Sequence, residues 1–344
     1  MPEDQNGDKV EPLEPSTQET GLDEELEGDA FVAQPPERVP AEETFPISSG
    51  EALTSQETAE ITMRTRVPVI LLGGAQESGK TTLLASLFWC FQRGPFSGFL
   101  FRDSFTLMGL ERRSWRSRTA SMGLVADIDR SKLATRRYLH LQLKAESALG
   151  LTDLVFCDLP GELFEAVVNR PSASGEISEL GRADHVTILI DGAKLRRLDL
   201  RQSAQRDAWL LLRGFLDSKE LSTSVPVEIV FTKIDLFGGE ALDTESTVDQ
   251  NLFVSEGQAM GFIENVKRDF KNEFEPMGIQ LTFFETAAQE TGSKYELGHG
   301  IAPLLKKWAS AVRPPSPVID NQALKYPVDR EIDKFCEREM GLDK

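Results

Sequence analysis

Residues 71–82 read Leu-Leu-Gly-Gly-Ala-Gln-Glu-Ser-Gly-Lys-Thr-Thr and contain the full pattern G-x-x-x-x-G-K-[ST] from Gly74 to Thr81. In front stands Val67-Pro-Val-Ile-Leu-Leu72, an apolar run of buried-strand length; behind, Lys80 to Phe91 is apolar at helical spacing. Strand, glycine loop and helix in that order are the setting in which such a loop cradles phosphate. Glycines let backbone N–H groups close round the phosphate oxygens. Lys80 can reach the β- and γ-phosphates, which also makes it a catalytic candidate, and the Thr81 hydroxyl can ligate Mg²⁺. Gly74, Gln76, Glu77, Ser78, Gly79, Lys80, Thr81 and Thr82 are the candidate nucleotide-binding positions of this segment.

Outward from the loop, strand-like runs alternate with helical patterns. The strands expected are 67–72, 137–143, 152–158, 185–191, 226–232 and 280–285. Run 137–143 alternates in polarity; the others are nearly continuous apolar stretches, as in a sheet covered on both faces. Ala208, Leu211, Leu212 and Phe215 share one helix face, as do Ala259, Phe262, Ile263, Val266, Phe270 and Phe274, and again Ile301, Leu304, Leu305, Trp308 and Val312. The alternation predicts a three-layer α/β domain over about 65–313, built on a mostly parallel six-stranded sheet. A Pro-rich break follows, and 314–344 is expected to be an extension whose charged part, 327–340, forms a short amphipathic helix.

The net charge of −18 is uneven: residues 1–60 hold 17 acidic side chains against Lys9 and Arg38. With few aromatics and much Glu, Pro, Ser, Thr and Gln, residues 1–64 read as a disordered acidic tail, either a solvated leader or a segment that binds a partner or inhibits the domain. Cys90, Cys157 and Cys336 have no metal spacing and fit a reducing cytoplasm. No apolar run is long enough to span a bilayer, and the acidic start is unlike a signal peptide. His140, His185 and His299 carry no catalytic or metal signal.

Further motifs fall at the carboxyl ends of expected strands, where open α/β sheets bind ligands. Asp158-Leu-Pro-Gly161-Glu162 offers an acid that can hold Mg²⁺ through water and a glycine whose N–H can face a γ-phosphate. In Thr232-Lys233-Ile-Asp235 the Asp235 carboxylate can accept two hydrogen bonds from the N1–H and N2–H₂ edge of guanine, whereas adenine offers no such pair; the Lys233 stem can pack on the purine. Glu285-Thr-Ala287-Ala288 can place a backbone N–H on guanine O6.

These motifs, in this order over about 66–313, resemble the Ras-like GTPases of the translation-factor-related P-loop class. The loop is similar to that of heterotrimeric G-protein α subunits, and Thr232-Lys-x-Asp to the dynamin version. The resemblance implies a GTP-hydrolysing switch using Mg²⁺, with Lys80, Gly161 and Glu162 at the reaction. It also implies a switch threonine that ligates Mg²⁺ beside Thr81 and Asp158; Thr135 is its position by spacing, with Thr119 second. The segment ahead of 137 is an extended switch I region. Its run Phe105-Thr-Leu-Met-Gly-Leu-Glu-Arg-Arg113, Trp115-Arg-Ser-Arg118, and Leu139-His-Leu141 resemble the bacterial double-GTPases, encoded in pairs within conflict-type gene clusters. That implies a protein effector, a second GTPase, as partner.

Glu162 stands where such enzymes carry a water-orienting glutamine, and Gln76 replaces a loop glycine and crowds the path of a partner's arginine. Slow turnover is expected, or an internal cation, or a protein that binds nucleotide without hydrolysing it. Residues 102–144 carry ten Lys/Arg against four Asp/Glu, readable as solvated surface, phosphate-charge stabilisation or a dock for the acidic tail. Nucleic acid is disfavoured as a partner, with no interleaved stacking motif among the charges. An ATP-using enzyme is disfavoured by Asp235.

Overall fold

Val69–Gly73 forms β1, and every residue of it is buried. Its side chains divide between two cores: Ile70 and Leu72 on one face, Val69 and Leu71 on the other. A strand sandwiched this way must be apolar throughout, which is why it reads as a continuous run. The computed structural model describes residues 49–64, 67–117, 136–146, 151–237, 250–287 and 295–310.

The other strands are β2 (Phe99–Asp103), β3 (Arg137–Ala145), β4 (Leu151–Asp158), β5 (His185–Asp191), β6 (Val227–Thr232) and β7 (Leu281–Glu285). They lie in the order β2-β3-β4-β1-β5-β6-β7. The β2–β3 and β3–β4 pairs are antiparallel and the remaining pairs are parallel. One face is covered by α2 (Lys80–Gln92), α3 (Leu107–Ser117) and α8 (Ile301–Ala309), through Leu83, Leu87, Phe88, Leu110, Leu304 and Trp308. The other is covered by α4 (Gly161–Asn169), α6 (Arg201–Asp217) and α7 (Glu256–Phe274), through Phe164, Val167, Leu211, Phe215, Ile263 and Phe270. The three layers expected are present. No helix among the described residues is long and apolar enough to cross a membrane.

Two elements depart from the expectation. The sheet has seven strands among the described residues, not six. The extra one, β2, is an edge strand of five residues whose half-buried Phe99 and Phe101 alternate with exposed Leu100 and Arg102. Phe101 packs edge-on to Phe88 at 5.7 Å. So short an alternation does not stand out in sequence; antiparallel pairing with β3 creates the strand.

The second departure is α1 (Ser55–Arg64), inside the segment expected to be a disordered tail. Thr54 and Glu57 form a reciprocal cap: Glu57 N donates to Thr54 Oγ1 at 3.2 Å, and Thr54 N donates to Glu57 Oε2 at 2.8 Å. Just before it, Leu53 is buried and bridges Tyr138, with Leu53 N donating to Tyr138 O at 2.9 Å. Residues 49–64, the last part of the expected tail, thus carry described structure. Averaged composition hid a local capping signal. Residues 1–48 and 311–344, which take in Val312 and the extension expected over 314–344, lie outside the described residues.

Cys90 and Cys157 are buried in the core, and burial pushes the Cys90 thiol up to about 11 and that of Cys157 higher. His140 is structural, as expected. Its Nδ1 accepts from Phe105 N at 3.2 Å, so Nε2 carries the proton and donates to Asp153 Oδ1 at 3.0 Å. Burial lowers its pKa, although Asp153 opposes the shift. The unfolded chain therefore takes up this proton first as pH falls through about 6.5, and the stability His140 contributes above that pH is lost below it. We expect the melting temperature to fall by several degrees between about pH 7 and pH 5, and to fall less steeply in His140→Gln. Equal slopes in thermal melts of the two proteins would assign the acid sensitivity elsewhere.

Candidate functional site

The loop begins where β1 ends. Gly74 has φ 146°, and a Cβ there would lie 2.7 Å from Ser78 Oγ and 2.8 Å from Leu189 O. Gly79, at φ 96°, leads into α2 with no side-chain cap. The first-turn N–H groups of α2, including those of Lys80, Thr81 and Thr82, thus point outward without intrahelical acceptors. They sit at the positive end of the helix dipole and suit an anion. Glu77 holds φ 62° without being glycine, a conformation costing about 1–2 kcal/mol.

Lys80 lies back over this loop. Its Nζ donates to Gly74 O at 2.8 Å and Ala75 O at 3.0 Å, and sits 5.5 Å from the centroid of Phe164. Burial lowers its pKa to about 8, against the opposing fields of Asp158, Glu162 and Glu165. An ammonium held in that state gains by meeting phosphate oxygens.

β4 delivers Asp158 to its carboxyl end, 5 % exposed, where Arg113 Nη2 from α3 lies 3.4 Å from Asp158 Oδ2. Gly161 opens α4 against the phosphate loop. A Cβ at Gly161 would be 2.8 Å from Gln76 N and 2.9 Å from Gln76 Cα. Next to this contact Gln76 N donates to Glu165 Oε1 at 3.3 Å. Gln76 itself is exposed and Glu162 half-buried.

β6 ends on the same loop. Thr232 Oγ1 donates to Ser78 O at 2.8 Å. Lys233, at φ 54°, sends Nζ to Glu77 O at 2.8 Å and to Asp191 Oδ2 at 3.0 Å. Both side chains hold the loop's backbone, which fixes the turn that strains Glu77. Asp235 follows in a 3₁₀ turn, Ile234–Phe237, that Ile234 N ties to Thr286 O at 3.3 Å. The loop after β7 is thereby brought beside it. One expectation needs adjusting here: Ala287 N donates to His299 O at 3.1 Å, so this N–H is engaged within the fold and is not turned to a base. Ala288, Thr135 and Thr119 lie outside the described residues.

The sequence reading missed three groups that the fold brings here: Arg113, Glu165 and Asp191. Asp191 had a signal, being the acid that ends the run 185–191 and accepts from Ala193 N at 2.9 Å. Glu165 follows Glu162 at helical spacing. Arg113 is marked only as the end of the run 105–113 and as one of the basic residues in 102–144; its pairing has no local signal, because its partner lies 45 residues away.

No ligand set of three or more His, Cys, Asp or Glu suited to a metal occurs among the described residues. Mg²⁺ takes one or two protein oxygens and completes its shell with phosphate and water. The Thr81 hydroxyl and the Asp158 carboxylate are oxygen donors of that kind, flanking the loop from α2 and β4.

A family model described as Double-GTPase 2 matches residues 67–309. Among solved structures, the signal recognition particle receptor SRb-GTP/SRX complex from Chaetomium thermophilum is similar at 18% identity and TM-score 0.38, covering 71% of this chain and 97% of that one. The Methanosarcina barkeri Roco2 RocCORdC bound to GDP is similar at 14% identity and TM-score 0.35, covering 71% of this chain and 49% of that one. No curated protein gives a match. The matched stretch runs from just before β1 to the end of α8 and takes in the phosphate loop and the strand ends that grip it; the chain belongs to the Double-GTPase 2 family.

Proposed function

We propose that this chain is a guanine-nucleotide switch that hydrolyses GTP to GDP slowly with Mg²⁺ and acts on a partner protein. The observation that carries the reading is the double tie from β6 to the phosphate loop, Thr232 Oγ1 to Ser78 O and Lys233 Nζ to Glu77 O. It couples the strand end that carries Asp235 to the loop that holds phosphates, so base and phosphates are gripped by one rigid unit.

In this reading the first-turn N–H groups of α2 bind the β-phosphate, and Lys80 neutralises the β- and γ-phosphates. Thr81, Asp158 and the expected Thr135 would hold Mg²⁺, which supplies charge neutralisation between the phosphates. Gly161 N–H faces the γ-phosphate, Asp235 reads guanine, and Ala288 N–H reaches O6. Glu162 orients the attacking water. A carboxylate there also repels the γ-phosphate, and Glu165 adds a second negative field at Lys80. Unaided turnover on the order of 10⁻⁴ to 10⁻² per second follows. The same two carboxylates favour a second reading, a protein that binds nucleotide and signals without hydrolysing it. In either case we take the partner to be a protein, a second GTPase, and the location to be the cytoplasm, which suits buried free Cys90 and Cys157.

Titration with GTP, GDP and ATP, followed by a single-turnover assay, tests the reading. Asp235→Asn is expected to reduce the preference for GTP over ATP by about a hundredfold, since one partner of a charge-assisted pair is lost and its mate left unsatisfied. A mutant that discriminates as well as the parent would remove Asp235 from the base site. Intrinsic turnover faster than about one per second would remove Glu162 as a brake.

A further inference from the structure

We propose that Arg113 is the cation that holds Asp158 before Mg²⁺ arrives, and that loading of Mg²⁺ with nucleotide displaces the guanidinium and releases α3 from the site. This rests on the guanine-nucleotide reading above. The Arg113 side chain is 11 % exposed and that of Asp158 5 %, so the pair is largely withdrawn from water. A carboxylate buried to that degree needs a positive partner. Arg113 Nη1 also donates to Gly109 O at 3.0 Å, so one side chain joins the backbone of α3 to the end of β4.

The start of α3 is fixed independently. Gly109 N donates to Gly50 O at 3.0 Å, and a Cβ at Gly109 would overlap Glu51 O. Arg112 pairs with Glu51 at 2.8 Å, a contact largely open to solvent and correspondingly weak. Arg113 supplies the charged tie between α3 and the nucleotide site. Asp158 is also the acid expected to serve Mg²⁺. A divalent cation brought to this carboxylate repels a guanidinium already there, so the two compete. Competition is reciprocal: if Mg²⁺ weakens the hold of Arg113, loss of Arg113 strengthens Mg²⁺ by the same factor.

The full chain is loaded with fluorescent GDP, and its release is followed while Mg²⁺ is varied. Hydrogen–deuterium exchange over 107–117 is compared with EDTA and with Mg²⁺. In the parent, exchange in α3 should rise when Mg²⁺ is added. In Arg113→Ala it should be fast from the outset, and the Mg²⁺ concentration that half-maximally slows GDP release should fall about fivefold or more. Arg113→Lys keeps the charge and should restore most of the parent's Mg²⁺ requirement, which separates the role from simple misfolding. Unchanged α3 exchange in the parent, or an unchanged Mg²⁺ requirement in Arg113→Ala, overturns the inference alone. Failure of the parent to bind GDP overturns the nucleotide reading, and this inference with it.

Discussion

Lys80→Ala should lower the affinity for both GTP and GDP by about two to three powers of ten, the value of charge-assisted hydrogen bonds to phosphate in a partly desolvated site. The surroundings of Lys80 show why the loss would be specific. Lys80 is 8 % exposed and donates to two backbone carbonyls of its own loop, Gly74 O and Ala75 O. Neither is a full counter-charge, and burial pulls its pKa down to about 8. A buried ammonium in that state is a stability cost carried for binding. Removing it should therefore leave the melting temperature unchanged or raise it slightly while nucleotide affinity collapses. Lys80→Arg should not rescue: the compact ammonium donates to two loop carbonyls at once, and a rigid planar fork does not reproduce that geometry. Calorimetric titration and a thermal melt on the same samples decide the matter. A mutant that binds GDP within threefold of the parent would show that the loop N–H groups alone hold the phosphates.

What could be read in advance depended on how far apart the interacting residues lie. The phosphate loop is contiguous, and its flanks carry their own periodicity, so β1, the loop and α2 were legible together. The strand ends at Asp158 and Thr232 to Asp235 were legible because buried parallel strands are continuous apolar runs and their last residues are easily placed. Edge structure was not. β2 exists because it pairs with β3, across some forty residues that carry no marker of the pairing. Leu53 is fixed by Tyr138 in the same way, and a tail composition averaged over residues 1–60 concealed the cap at Thr54 and Glu57. Ala287 and Ala288 look equivalent in sequence; the bridge to His299, which engages Ala287 within the fold, has no sequence marker. Arg113 illustrates the limit most clearly, as a basic residue in a basic segment with nothing local to mark it as the partner of Asp158.

Gly161→Ala should separate the two nucleotide states. The substitution is locally harmless: Gly161 is the first residue of α4, its φ lies outside the left-handed region, and alanine favours helix. Its cost comes from across the loop, where the new Cβ would meet Gln76 N at 2.8 Å, Gln76 Cα at 2.9 Å and Ala75 C at 3.3 Å. All three are backbone atoms, so no side chain can swing aside; either α4 lifts or the loop shifts. Overpacking of this kind costs about 1–3 kcal/mol. In the proposed reading GDP, which lacks the γ-phosphate, makes no contact with Gly161, and its affinity should stay within about threefold of the parent. In the proposed reading GTP would need the Gly161 N–H at the γ-phosphate, and there the displaced helix should cost about ten- to a hundredfold in GTP affinity and in single-turnover rate. Gly257→Ala, at the start of α7 with nothing within 4 Å of the added carbon, is the control and should leave both nucleotides unaffected. If Gly161→Ala weakens GDP and GTP equally, the contact only shapes the phosphate loop, and Gly161 does not sense the γ-phosphate. If GTP alone suffers, the close approach between α4 and the loop is how this chain distinguishes its two nucleotides, and the tie from Gln76 N to Glu165 Oε1 becomes the next contact to cut.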